Sequence, residues 1–194
     1  MTKLILCVHQ KGGVGKSTIA LNLALNLSDS SKVAILDMDH QGSLLQLHEK
    51  IDGIYITNDE QIISNNIEYD FIIIDTPPYL SNALPNLIQV SDLIVIPTKA
   101  GILDVLAIKS TLDLVKREKM DSKALIVFNM IKPNTTLTKN IMELVKPFEI
   151  PVARTKISDL VAFTRSVALQ GVRHHIKAQG QINNLTKEIL IRLL

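Results

Sequence analysis

The feature that most restricts this chain is the run His9-Gln10-Lys11-Gly12-Gly13-Val14-Gly15-Lys16-Ser17-Thr18, set between an apolar stretch and a helical pattern. Residues 4–8 (LILCV) have strand length and β-branched character, and residues 17–28 (STIALNLALNLS) read as a helix. Gly12, Gly13 and Gly15 free the backbone to turn its N–H groups inward, so anionic oxygens can approach closely. The helix that follows adds unpaired N–H groups and the positive end of its dipole. Lys16 supplies a point charge for the β- and γ-phosphates of a nucleotide, and the Ser17 hydroxyl is suited to ligate Mg²⁺. Val14 and Thr18 complete the cradle. A glycine loop alone could be a tight turn, but Gly-Lys-Ser between strand and helix points to a phosphate-binding loop.

The pattern repeats without the glycines. Residues 33–36, 71–74, 93–96 and 124–128 are further short runs, apolar on both faces, as expected of strands buried between two layers of helices. Helical patterns lie over 83–91, 102–119, 136–147, 157–169 and 182–194, while 44–69 is the least clear segment, consistent with one short strand and one short helix. Strand alternating with helix predicts an α/β fold: an open, mostly parallel twisted sheet with helices on both faces and right-handed crossovers. No repeat, linker or low-complexity tract interrupts residues 1–194, so a single domain is expected. In such a sheet ligands bind beyond the carboxyl ends of the strands.

Composition removes several classes. At 46% apolar and 21% charged the chain is neither disordered nor membrane-spanning, since no apolar run approaches the roughly 18 residues a spanning helix needs. The apolar start runs straight into the glycine loop, not into a cleavage site, so it is not a secretion signal. The one cysteine, Cys7, excludes an intrachain disulfide framework and any multi-cysteine metal site. A cytoplasmic protein is expected. The net charge of +2 conceals an asymmetry. Residues 153–194 carry Arg154, Lys156, Arg165, Arg173, Lys177, Lys187 and Arg192 against only Asp159 and Glu188. Such a block is either a solvated helical surface or a surface for a polyanion.

Carboxylates stand where the strands end. Residues 33–36 lead into Asp37-Met38-Asp39-His40-Gln41, and FIII (71–74) leads into Asp75-Thr76-Pro77-Pro78. An aspartate after an apolar strand beside a phosphate loop suits the Mg²⁺ shell, bound through water because Mg²⁺ gives up its waters reluctantly. Asp75 therefore joins Ser17 as a candidate metal residue. A pair such as Asp37-x-Asp39 could equally cap a helix or a turn.

KGGVGKST resembles the deviant Walker A loop of the ParA/MinD family of ATPases, with Gln10 where the standard motif has its first glycine. The resemblance is closest to the small plasmid partition ATPases and extends to IPTKAG at 96–101 and RTKISDLVAFTRSVALQGV at 154–172. It implies that Lys11 is the signature lysine, which reaches a partner subunit's nucleotide in an ATP-bound homodimer. It implies that Asp39 of the second signature orients or activates the attacking water, with His40 replacing the family's usual proline. It implies that Asn129, after the strand 124–128, contacts adenine; ATP is favoured over GTP because Thr98-Lys99-Ala100-Gly101 lacks the aspartate of a guanine signature. Catalysis would then rest on Lys11, Lys16 and Asp39. In that family the dimer binds duplex DNA without sequence preference through basic residues of the C-terminal third, matched here by Arg154, Lys156, Arg165, Arg173 and Lys177. A ParB-like centromere-binding partner and a nucleoid location follow from the same resemblance. The chain starts directly at its first strand, so the helix-turn-helix extension of larger partition ATPases is not expected.

Two rivals remain. A MinD-like membrane ATPase needs a basic amphipathic C-terminal helix, and residues 184–194 are amphipathic but only weakly basic, without an aromatic anchor. Packing on the domain suits them better, and no membrane association is expected. P-loop amidoligases share the glycine loop, though the basic block gives no reason to prefer them. The nitrogenase iron protein is excluded by the lone cysteine.

Overall fold

A computed structural model describes residues 1–39, 44–65, 68–79, 82–132, 141 and 143–194. Its strands are β1 (Lys3–Cys7), β2 (Val33–Asp37), β3 (Tyr55–Thr57), β4 (Phe71–Asp75), β5 (Leu93–Thr98) and β6 (Ala124–Phe128). They form one parallel sheet in the order β3-β2-β4-β1-β5-β6. The helices are α1 (Lys16–Leu27), α2 (Leu84–Val90), α3 (Ile102–Arg117), α4 (Val161–Arg165) and α5 (Ile176–Leu193).

The period of two sorts each strand between two cores. Ile5, Cys7, Ile35, Ile73, Val95 and Val127 point to one face, where they meet α1 and the inner side of α5. Leu6, Leu36, Ile74, Ile96 and Phe128 point to the other, against α2 and α3. Both faces are covered, which is why the strands show no polar alternation. Helix α1 is buried along most of its length. Its Asn22 amide nitrogen donates to the Thr18 carbonyl and to Ser166 Oγ, tying the 166 segment to the helix.

The predicted strands and the helices 17–28, 83–91 and 102–119 agree with β1, β2, β4, β5, β6, α1, α2 and α3 to within a residue or two. The unclear stretch 44–69 holds β3 and two 3₁₀ turns, Leu45–Lys50 and Glu60–Ile63. Two expectations near the C-terminus need correction. The predicted helix 157–169 is helical only at α4, because the segment before it runs beside β6 and its extension. Ile157 N–H donates to the Phe128 carbonyl and Asp159 N–H to that of Ile131. Helix α5 begins at Ile176, ahead of the expected residue 182, with the His175 imidazole accepting from the Ala178 N–H as its cap. The predicted helix 136–147 falls largely outside the described residues; Lys146–Phe148 form a 3₁₀ turn.

Glu188 joins the C-terminal helix to this edge. Its carboxylate accepts from the backbone N–H groups of Arg154 (2.8 Å) and Thr155 (2.7 Å) and from the Thr155 hydroxyl (2.5 Å). These donors hold its carboxyl below the usual carboxylate range, against the opposing effect of partial burial. Its stabilisation is therefore present above the unfolded carboxylate pKa and fades as pH falls through the lowered folded value. Glu188→Ala should cost about 1–3 kcal/mol at neutral pH, and less in acid. Urea denaturation at two pH values would measure both.

Candidate functional site

Parallel strands end on one side, so the sheet brings the residues that follow β1, β2, β4 and β6 to a single edge. Cys7 stands in register with Asp75, and Asp75 with Asp37. Thr76 Oγ1 donates to the Cys7 carbonyl at 2.9 Å, locking the end of β4 to the base of the glycine loop. Gly13 and Gly15 adopt φ of 69° and 95°, left-handed values that other residues rarely hold. A Cβ on Gly15 would run into the Asn129 amide nitrogen. That amide donates to the Val14 carbonyl at 2.8 Å, while the Asn129 backbone N–H donates to Thr98 O. Asn129 is therefore a prop beneath the loop, a contact that reasoning from sequence did not anticipate. Beside it, Thr18, Asn129, Met130, Ser158, Asp159 and Phe163 line a cavity of about 240 Å³.

The two lysines of the loop go different ways. Lys16 opens α1 and is 7% exposed. Burial lowers its pKa, and the carboxylates of Asp75 and Asp39 oppose that shift and support the charge. Lys11 has a side chain 40% exposed and pairs with Asp104, in the first turn of α3, at 2.5 Å. Its backbone N–H donates to Nδ1 of the buried His9 at 2.9 Å. Neither Asp104 nor His9 was singled out from the sequence. The first has no motif, and the second stood just ahead of one.

The three strand-end aspartates differ in what they can still bind. Asp37 is buried and spent: one oxygen accepts from the Asp39 N–H, the other from those of Leu44 and Leu45. It closes the loop after β2. Asp39 is half-buried and near enough to Lys16 to support its charge; His40 and Gln41 lie outside the described residues. Asp75 is fully buried, and neither oxygen has a hydrogen-bond partner of good geometry. Burial raises its pKa to about 7; the Ser17 hydroxyl and Lys16 lower it in part, whereas Asp37 and Asp39 push it up.

An orphaned buried carboxylate next to a hydroxyl suits a cation. Among the described residues no three His, Cys, Asp or Glu side chains gather to hold a metal by themselves. Mg²⁺ does not ask for that, because it keeps waters and takes few protein ligands beside phosphate oxygens. Ser17 and Asp75 fit such an ion.

The basic residues divide. Arg154, Lys156, Arg165, Arg173 and Lys177 are all exposed. Arg154 and Lys156 flank a groove of about 420 Å³ with Gln181, Asn184 and Lys187 of α5. Lys177 stands one turn before Gln181 on the same helical stripe. Arg165 ends α4 and does not line that groove. Arg173 has partners of its own: it pairs with Asp29 at 2.5 Å and donates to the Leu25 carbonyl near the end of α1.

A parallel sheet with a glycine cradle between its first strand and first helix, faced by strand-end aspartates, defines a nucleotide-binding P-loop domain. The family described as CobQ/CobB/MinD/ParA nucleotide binding domain matches residues 5–171, so the chain belongs to this ParA/MinD family of ATPases. It is 24% identical to maintenance of carboxysome distribution protein A of Halothiobacillus neapolitanus, over 93% of both chains. It is 26% identical to the chromosome partitioning protein ParA of Myxococcus xanthus, over 91% of this chain and 83% of that one. Its fold matches a plasmid partition protein of Borrelia burgdorferi with TM-score 0.72 and 22% identity, over 98% of this chain and 99% of that one. It also matches the Aquifex aeolicus cell division protein MinD, with TM-score 0.78 and 15% identity over 97% of each.

Asp75 gives the site a pH signature even without nucleotide. Its folded pKa lies above the unfolded carboxylate value, so the folded chain holds the extra proton between about 4 and 7. Stability of the nucleotide-free protein should therefore fall as pH rises through that window. In Asp75→Asn this part of the slope should vanish. Thermal melts of both proteins across the window check it.

Proposed function

We propose that this chain is a Mg²⁺-dependent ATPase that forms a dimer around ATP, binds duplex DNA without sequence preference and segregates DNA with a centromere-binding partner. The observation that carries the reading is the divergence of the two loop lysines. Lys16 is buried at the start of α1, as a residue serving its own subunit's nucleotide should be. Lys11 springs from the same loop with a partly exposed side chain, held at the rim by Asp104. A lysine held there can leave its carboxylate for a phosphate on another subunit. Gly12, Gly13, Val14, Gly15, Lys16, Ser17 and Thr18 cradle the phosphates; Asn129 and the cavity beside it take the base. Ser17 and Asp75 would hold Mg²⁺, which when bound offsets phosphate charge. Asp39 orients the attacking water from the end of β2.

Partition of nucleic acid is favoured over a membrane role by the C-terminal helix. Ile182, Leu185 and Ile189 of α5 are buried in the core that includes α1, so the apolar stripe is occupied. Among the described residues no helix is long and apolar enough to cross a membrane. The nucleoid location proposed here follows from DNA binding.

Three substitutions separate the roles. Lys16→Ala should abolish ATP binding measured by calorimetry, because it removes the buried charge facing the phosphates. Lys11→Ala should bind ATP but remain monomeric in light scattering, and Asp39→Ala should accumulate as an ATP-bound dimer. A Lys11 variant that dimerises normally would remove the signature role.

For DNA, affinity should fall with salt with a logarithmic slope of about −0.9 per neutralised phosphate. Arg154→Ala, Lys156→Ala and Lys177→Ala should each weaken binding alike on all duplex sequences and flatten that slope. Arg173→Ala should mainly lower thermal stability, because its guanidinium is engaged at the end of α1. Fluorescence anisotropy with ATP and with ADP, at several salt concentrations, is the assay. Equal binding with ADP would argue against a dimer-dependent surface.

A further inference from the structure

We infer that His9 is a positioning residue for Lys11: its imidazole fixes the backbone from which that lysine side chain projects. The inference rests on the reading of Lys11 given above, but the geometry behind it is independent. His9 follows β1, is fully buried, and accepts the Lys11 N–H on Nδ1 at 2.9 Å across a two-residue turn. A ring nitrogen that accepts carries no proton, so the imidazole is neutral with its proton on Nε2. Burial and the neighbouring Lys16 push its pKa down to about 4, and Lys11 adds to the effect while Asp104 opposes it. The acceptor is thus available throughout the neutral range.

This bond has two consequences. The Lys11 N–H is turned back toward β1, so the inward-facing donors of the cradle begin after it. The side chain on the same residue is held in cis at a second point, Nζ against Asp104 on α3. Exchanging Asp104 for a phosphate on another subunit breaks only the outer hold. The inner hold keeps the start of the arm in place, which removes part of the ordering cost of bridging. An asparagine can accept from the N–H two residues on in the same manner, whereas an apolar side chain cannot.

The test compares His9→Asn, which keeps an acceptor, with His9→Phe, which fills the space without one. Should the phenylalanine not pack, as melting would reveal, His9→Leu carries the same comparison. Hydrogen exchange of the Lys11 amide in the nucleotide-free monomer reads the bond itself. Protection should fall about tenfold in the apolar variant and be retained in the asparagine variant, the scale of one lost hydrogen bond. ATP-dependent dimerisation by light scattering should need about tenfold more ATP in His9→Phe, with asparagine restoring most of it. ATP affinity of the monomer, by calorimetry, should change much less. Unchanged Lys11 exchange in His9→Phe would overturn the inference, as would equal losses in the asparagine and phenylalanine variants. If the wild-type chain does not dimerise with ATP, the reading of Lys11 falls while the exchange result still decides whether His9 holds its amide.

Discussion

The pairing of β1 with β4 is the constraint from which the site follows. It puts Cys7 opposite Asp75, so the glycine loop and the strand-end aspartate emerge side by side. The Thr76 hydroxyl then binds the Cys7 carbonyl and fixes that junction. Because both faces of the sheet are sealed by helices, the aspartate at its end is cut off from water. The consequence is a carboxylate with no good hydrogen-bond partner, raised to a pKa of about 7, beside a buried lysine with a lowered one. Neither group is comfortable without an added ligand. A nucleotide would bring an anion for the lysine, and a cation carried with it would suit the carboxylate.

Most of the fold was legible because its strands are apolar on both faces and its helices are separated by turn residues. What was not legible depends on distant pairing. Residues 157–160 look helical by pattern, yet β6 and its extension supply partners for Ile157 and Asp159, and those bonds hold the segment extended. The first turns of α5 were missed for the opposite reason. Gly180 and the polar run around it weaken the helical pattern, and the cap is a histidine, outside the usual Ser, Thr, Asp or Asn.

In the site, what could be read were the residues whose chemistry is local to a motif: the glycines, Lys16, Ser17 and the aspartates after strands. What could not be read were their supports. Of Asp37 and Asp39, only the structure separates the one consumed by loop N–H groups from the one left beside Lys16. Asn129 was expected to contact a base; what the structure shows is its amide donating to the Val14 carbonyl. The carboxylate that holds Lys11 comes from α3, which begins far along the chain and shares no motif with the loop.

In the basic C-terminal block, equal formal charges have different surroundings. Arg173 is exposed, but its guanidinium is bound to Asp29 and to the Leu25 carbonyl near the end of α1, so a phosphate would have to compete with both. Arg154 and Lys156 are in a different position. Glu188 takes the backbone N–H of Arg154 and both donors of Thr155, fixing the chain that carries these two side chains while leaving them flanking the groove. Lys187 and Lys177 extend the same side along α5. Charge placed on a fixed backbone loses less freedom on meeting a polyanion than charge on a loose one. The acidic residue in the middle of this basic face therefore acts on it by ordering the main chain, through three accepted hydrogen bonds.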